Sequence, residues 1–228
     1  MKPFSERVVI FVGAYGSGKT ELALNYTLEL SKCREKVAIV DLDLVSPYFR
    51  SRDIKKRLTA RGIEVIAPAT EIAIADLPVV TPRIQGALAE PQLQVVIDVG
   101  GDPTGATALG RFRDQLISLP HQLLLVINTC RPFTKDITGI RNMLAAIERS
   151  ARLTITGLLA NCNLGPETTI EVMMSGLDIV RKAGQECDLP VVGMGVWSEL
   201  AGQIGTLPVP IWPLDIQLLP PWLSGTAT

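Results

Sequence analysis

The chain has 228 residues, 22 basic and 23 acidic side chains, and 47% hydrophobic against 20% charged residues. That composition excludes a disordered or fibrous protein, and a net charge of −1 gives no bulk attraction to nucleic acid or anionic lipid. A chain of this length buries about 70% of its unfolded surface without help from disulfides or metal, so residues 1–228 read as a single domain.

Apolar runs are only a few residues long, far short of a membrane span, and the opening M-K-P-F-S-E-R lacks the zones of a secretory signal. The reading is cytoplasmic. Cys33, Cys130, Cys162 and Cys187 lie far apart with no C-x-x-C pair, and His121 is the single histidine. Reduced, mostly buried thiols are expected, with no zinc site.

In chain order, short Val/Ile/Leu runs predict strands at 7–12, 37–41, 63–66, 94–98, 123–127, 154–161 and 191–196. They are continuously apolar, as strands covered on both faces are, and do not alternate. Helices are predicted at 20–31, 51–60, 82–89, 106–118, 134–150 and 167–184. The alternation implies an α/β fold, a doubly wound and mostly parallel sheet of about seven strands. From 206 to 228 the prolines Pro208, Pro210, Pro213, Pro220 and Pro221 forbid a helix or central strand. An extended closing segment anchored by Trp212 and Trp222 is expected.

Residues 13–20 read G-A-Y-G-S-G-K-T, a complete G-x-x-x-x-G-K-[ST] set between the apolar V-V-I-F-V and a helical run. Phosphate oxygens need converging N–H donors. Gly13, Gly16 and Gly18 let the backbone through Ala14, Tyr15 and Ser17 curl around them, and the following helix adds its positive end. Lys19 is placed to reach β- and γ-phosphates and the Thr20 hydroxyl to bind Mg²⁺. Two strands end in acid: V-A-I-V-D-L-D-L projects Asp41 and Asp43, and V-V-I-D-V-G-G-D projects Asp98 with Gly101 three residues on. Clustered carboxylates make electrostatic sense beside a cation and phosphates, and the Gly101 N–H is suited to a γ-phosphate.

The segments G-A-Y-G-S-G-K-T, D-L-D-L-V-S-P-Y-F and D-V-G-G-D together resemble the MinD/ParA-like P-loop ATPases, a group with positioning and metallocenter-maturation members. The resemblance implies ATP and Mg²⁺ as cofactors, with Asp43 placing the attacking water and Asp41 and Asp98 holding Mg²⁺ through water. It also implies that Asn161 recognises adenine by its amide; the guanine-reading N-K-x-D is absent there. Ala14 stands where sandwich-dimer members carry a signature lysine, so a nucleotide-dependent homodimer does not follow automatically. The implied function is an ATPase switch acting on a protein partner. A dethiobiotin-synthetase-like ligase or kinase, which also lacks that lysine, is the alternative, and a nucleotide-holding module without turnover is a third.

Three weaker signals remain. Residues 50–61 carry six basic side chains and one acidic one around Ile54 and Leu58, either a solvated helix face or a docking surface, with Arg50 or Arg52 as a phosphate contact. Small residues from Gly100 to Gly110 suit a switch segment leading to Arg111 and Arg113. Met173 and Met174 fit core packing.

Overall fold

The computed structural model describes residues 3–43, 52–67, 82–101 and 103–218. The strands are β1 (Val8–Val12), β2 (Val37–Leu42), β3 (Glu64–Ile66), β4 (Gln94–Val99), β5 (His121–Ile127), β6 (Gly157–Ala160), β7 (Val191–Trp197) and β8 (Ile211–Leu214). They form one sheet in the order β3-β2-β4-β1-β5-β6-β7-β8, and every pairing is parallel. The longer helices are α1 (Lys19–Leu30), α2 (Arg52–Thr59), α3 (82–89), α4 (Pro103–Leu109), α6 (Ile137–Ala151) and α7 (Ile170–Cys187). Two more, α5 (Arg113–Leu116) and α8 (Ser198–Ala201), are single turns.

The continuous apolar runs have the cause expected of them. In β1, Val8, Ile10 and Val12 enter the core on one face, with residues of α3, α4, α6 and α7. Val9 and Phe11 enter the core on the other face, with α1 and α2. All five are buried, because a central parallel strand is covered twice.

Among the described residues the sheet has eight strands and not about seven. The extra one is β8, inside the proline-rich segment expected only to be extended. Pro213 is tolerated because β8 is an edge, where a missing N–H breaks no ladder. Trp212 is the anchor foreseen: it stacks on Tyr26 with centroids 5.7 Å apart and meets Phe4 and Phe11 at 5.8 and 6.3 Å. A Cβ on Gly193 would strike the Trp212 indole. Trp222 lies outside the described residues.

Three other expectations change. The helix at 106–118 is broken into α4, a 3₁₀ turn at Gly110–Phe112 and α5; a Cβ on Gly110 would sit 3.1 Å from the carbonyls of Ser150 and Ala151, so α6 presses directly on the chain there. The strand at 154–161 shortens to Gly157–Ala160; just before it the Thr156 hydroxyl accepts the Leu123 N–H, while the Thr156 N–H still donates to the Leu123 carbonyl at 2.9 Å. The cysteines are free, but only Cys162 is buried; Cys33 lies exposed in the turn after α1. Met173 is buried in the core.

Beyond β8 the chain crosses back to α1. The Asn25 side chain mimics a strand, donating to the Asp215 carbonyl and accepting from its N–H, both at 2.9 Å. Glu21 accepts from the Gln217 N–H, and Gln217 in turn accepts from Arg57 of α2. On α2, Leu58 is buried while Lys55, Lys56 and Arg57 face outward, an arrangement that a solvated face and a docking surface share. Arg50 lies outside the described residues, as does the side chain of Arg52.

Candidate phosphate-binding site

Register brings the strand-end carboxylates together. Asp98 pairs with Phe11 of β1 on one side and with Asp41 of β2 on the other. Partners in a parallel pair share a face, so both carboxylates stand on the same side at the carboxyl edge, beside the loop leaving β1. Asp41 Oδ1 accepts the Asp43 N–H at 2.9 Å, which turns the chain and sets Asp43 beyond the strand. A Cβ on Gly100 would lie 3.2 Å from the Asp43 carboxylate, and one on Gly101 would lie 2.6 Å from the Tyr15 nitrogen. The segment after β4 is thus wedged between Asp43 and the loop, and neither glycine has room to spare.

The loop itself is a tight arch. Gly18, at φ +83°, is the left-handed residue that starts α1, and a Cβ there would strike the Asn161 amide. The Ser17 N–H closes a turn on the Ala14 carbonyl at 3.1 Å. The Lys19 ammonium folds back to donate to that same carbonyl, also at 3.1 Å, and the side chain is only 6% exposed. Tyr15, at the crest, is 72% exposed.

Asp98 is 4% exposed, and its Oδ1 has no hydrogen-bond partner among the described residues; the buried Ser17 hydroxyl is in the same condition. Burial pushes the Asp98 carboxyl up to about 7. Lys19 and a hydrogen bond with Thr20 hold it down, while Asp41 and Asp43 push it further up. A buried acceptor left open beside a lysine, a threonine hydroxyl and a second aspartate is a donor set that Mg²⁺ and its waters fit.

Stability follows from that carboxyl. Unfolded, Asp98 ionises near 3.8; folded, it holds its proton to about 7. The folded state therefore binds more protons between those values. Stability contributed at this site falls as pH rises through the window, by up to about 1.4 kcal/mol per pH unit. Asp98→Asn is expected to flatten the fall in guanidinium midpoint between pH 5 and pH 7 relative to the wild type. Parallel pH profiles of the two proteins would refute it.

Asn161 follows β6 directly and lies inside the site, but its amide Nδ2 donates to the Ser17 carbonyl at 2.7 Å, so part of the group expected to read adenine supports the loop. From Gly100 to Gly110 the chain is mostly helix α4 rather than open loop, with residue 102 outside the described set. Arg111 is exposed, whereas Arg113 donates to the Arg152 carbonyl at 3.0 Å and pairs with Asp114.

Sequence reading missed Asn128 and Arg131. Asn128, fully buried, joins three segments: its Nδ2 donates to the Asn163 carbonyl at 2.9 Å and to Gly16 at 3.5 Å, while Oδ1 accepts from Cys130 and Asn163. Arg131 Nε donates to the Gly16 carbonyl at 3.0 Å. The available signal was an asparagine ending an apolar strand at the ligand edge, one residue past the run at 123–127.

Solved structures share this architecture. FtsY from Thermotoga maritima superimposes with a TM-score of 0.54 at 18% identity, covering 86% of this chain and 63% of that one. Chloroplast FtsY from Physcomitrella patens gives 0.56 at 20%, covering 86% and 60%. The fold is that of the P-loop NTPases. The signal recognition particle 54 kDa protein from Aeropyrum pernix, solved in complex with GDP, gives 0.52 at 18%, covering 84% and 41%. The chain thus spans about three fifths of the FtsY chains. These neighbours are a different P-loop branch from the MinD/ParA-like proteins that the motifs resemble. No protein-family model and no curated protein sequence matches the chain. No helix among the described residues is long and apolar enough to cross a membrane.

Proposed function

We propose that this chain is a nucleotide-binding domain that binds a Mg-nucleoside triphosphate on residues 13–20 and hydrolyses it, using the cycle to switch its affinity for a protein partner. The observation that carries this reading is the convergence of the loop, Lys19 and the Asp41–Asp98 pair on one open, buried carboxylate oxygen. In this reading the loop amides and Lys19 bind the β- and γ-phosphates, and Thr20, Asp41 and Asp98 hold Mg²⁺ directly or through water. Mg²⁺ neutralises phosphate charge when bound. The Gly101 N–H would be offered to the γ-phosphate, and Asp43, held against Gly100, would place the attacking water.

For the base we propose adenine. The guanine-reading pattern would put an acidic side chain three residues after Asn161, and this chain has Leu164 there. Against it stands the GDP bound to the Aeropyrum neighbour. The MinD/ParA-like motifs favour the switch. Ala14, buried and with no charge to offer a second subunit, favours the small-acceptor ligase or kinase as the second reading.

Calorimetric titration of Mg-ATP and Mg-GTP, with phosphate release measured alongside, tests the proposal. Tighter ATP binding with slow release is expected. Preference for GTP would overturn the adenine assignment, and binding of neither would overturn the whole reading.

A further inference from the structure

Resting on the nucleotide site proposed above, we infer that Arg131 is a nucleoside-binding residue, offering its planar guanidinium to the sugar and base of the bound nucleotide. The polarity of the site comes first. Asp41, Asp98, Asp43 and Gly101 all lie on the β4 and β2 side of β1, so a metal and the terminal phosphate belong there. On the other side of β1 lie β5 and, beyond it, β6. A polyphosphate whose end faces Asp98 therefore sends its nucleoside over the ends of β5 and β6.

Arg131 is held on that side. Its Nε donates to the Gly16 carbonyl at 3.0 Å, and a Cβ on Gly16 would lie 3.0 Å from Nε and 3.4 Å from Cζ, so the guanidinium is packed against the loop. Its terminal nitrogens have no hydrogen-bond or carboxylate partner among the described residues. The backbone beneath is pre-formed: the Arg131 N–H donates to the Asn128 carbonyl at 3.1 Å, and the Thr134 N–H and hydroxyl donate to the Arg131 and Asn128 carbonyls at 3.1 and 2.7 Å. Little ordering remains to be done on binding. Two residues on, Phe133 is 73% exposed, adding an aromatic ring to the same turn. A guanidinium stacks on an aromatic face in a way that an ammonium does not.

The competing role, replacing the charge missing at Ala14 on the phosphates, fits the geometry less well. Arg131, Asn128 and Asn161 grip the Gly16 and Ser17 carbonyls from the β5–β6 wall, away from the crest where Tyr15 meets Gly101.

Calorimetry on Arg131→Ala and Arg131→Lys, with Mg-ADP, Mg-ATP and Mg-tripolyphosphate as ligands, separates the two roles. Both variants are expected to lose about five- to thirtyfold in affinity for the nucleotides, with tripolyphosphate affinity and the unfolding midpoint near the wild-type values. Equal losses for tripolyphosphate and nucleotide would overturn the inference in favour of a phosphate or loop-bracing role. Full recovery by Arg131→Lys would leave charge alone as the cause, and nucleotide affinity unchanged in Arg131→Ala would also overturn it. A wild-type protein that binds tripolyphosphate but no nucleotide would sink the nucleotide reading itself, which the variants do not touch.

Discussion

Lys19→Ala is expected to lower nucleoside triphosphate hydrolysis by about 10²- to 10³-fold, the cost of losing one pre-aligned charge aimed at the reacting group. Lys19 is buried against the Ala14 carbonyl and close enough to Asp98 to depress its pKa, so it serves two sites. Without an anion it offsets the buried carboxylate; with phosphate bound, it is to turn to the ligand. Removing it leaves Asp98 with only repulsive carboxylates nearby and the Thr20 hydrogen bond, so that carboxyl should keep its proton to higher pH than in the wild type. Two measurements check this: phosphate release under saturating Mg-ATP, and the pH dependence of the guanidinium midpoint. Turnover within threefold of wild type would remove Lys19 from the catalytic set.

Trp212→Ala is expected to cost about 3–5 kcal/mol of stability, a fall of roughly 10 °C in melting temperature for a chain of this size. The indole is 2% exposed and touches three other aromatic rings, one of them stacked. Its loss opens a cavity between β8, α1 and β1 and leaves Gly193 facing empty space. Trp212→Phe should recover part of the loss, because a ring still contacts Tyr26. Chemical denaturation followed by far-ultraviolet circular dichroism reads both variants. A cost under about 1 kcal/mol would mean that β8 melts apart from the rest of the sheet.

The loop at 13–20 was legible because phosphate chemistry dictates residue types at fixed spacing, and Asp98 because an acid ending an apolar strand has few other reasons to be there. What pattern could not give was pairing. That Asp41 and Asp98 are register partners depends on β2 and β4 being neighbours, 57 residues apart in sequence. β8 was hidden by Pro213, whose exclusion from central strands says nothing about an edge. Asn128 and Arg131 escaped for a different reason. Both are placed at the site by hydrogen bonds to a carbonyl of the loop, and a carbonyl has no sequence signature. Asn161 was found through family resemblance, yet its Nδ2 is spent on Ser17. An asparagine ending a strand is equally suited to holding the protein's own backbone.

The clasp between Asn25 and Asp215 joins residues 190 positions apart, which has a consequence for how the protein is made. At about 5–20 residues per second on the ribosome, Asp215 appears roughly 10–40 s after Asn25. Through that interval Phe4, Phe11 and Tyr26 lack the indole that covers them, Glu21 and Asn25 lack their backbone partners, and the edge of β7 lies open. A nascent chain at this stage has its phosphate-binding segment synthesised but its aromatic core uncovered, the state in which chaperone capture or mispairing of β7 with another chain competes with completion of the fold.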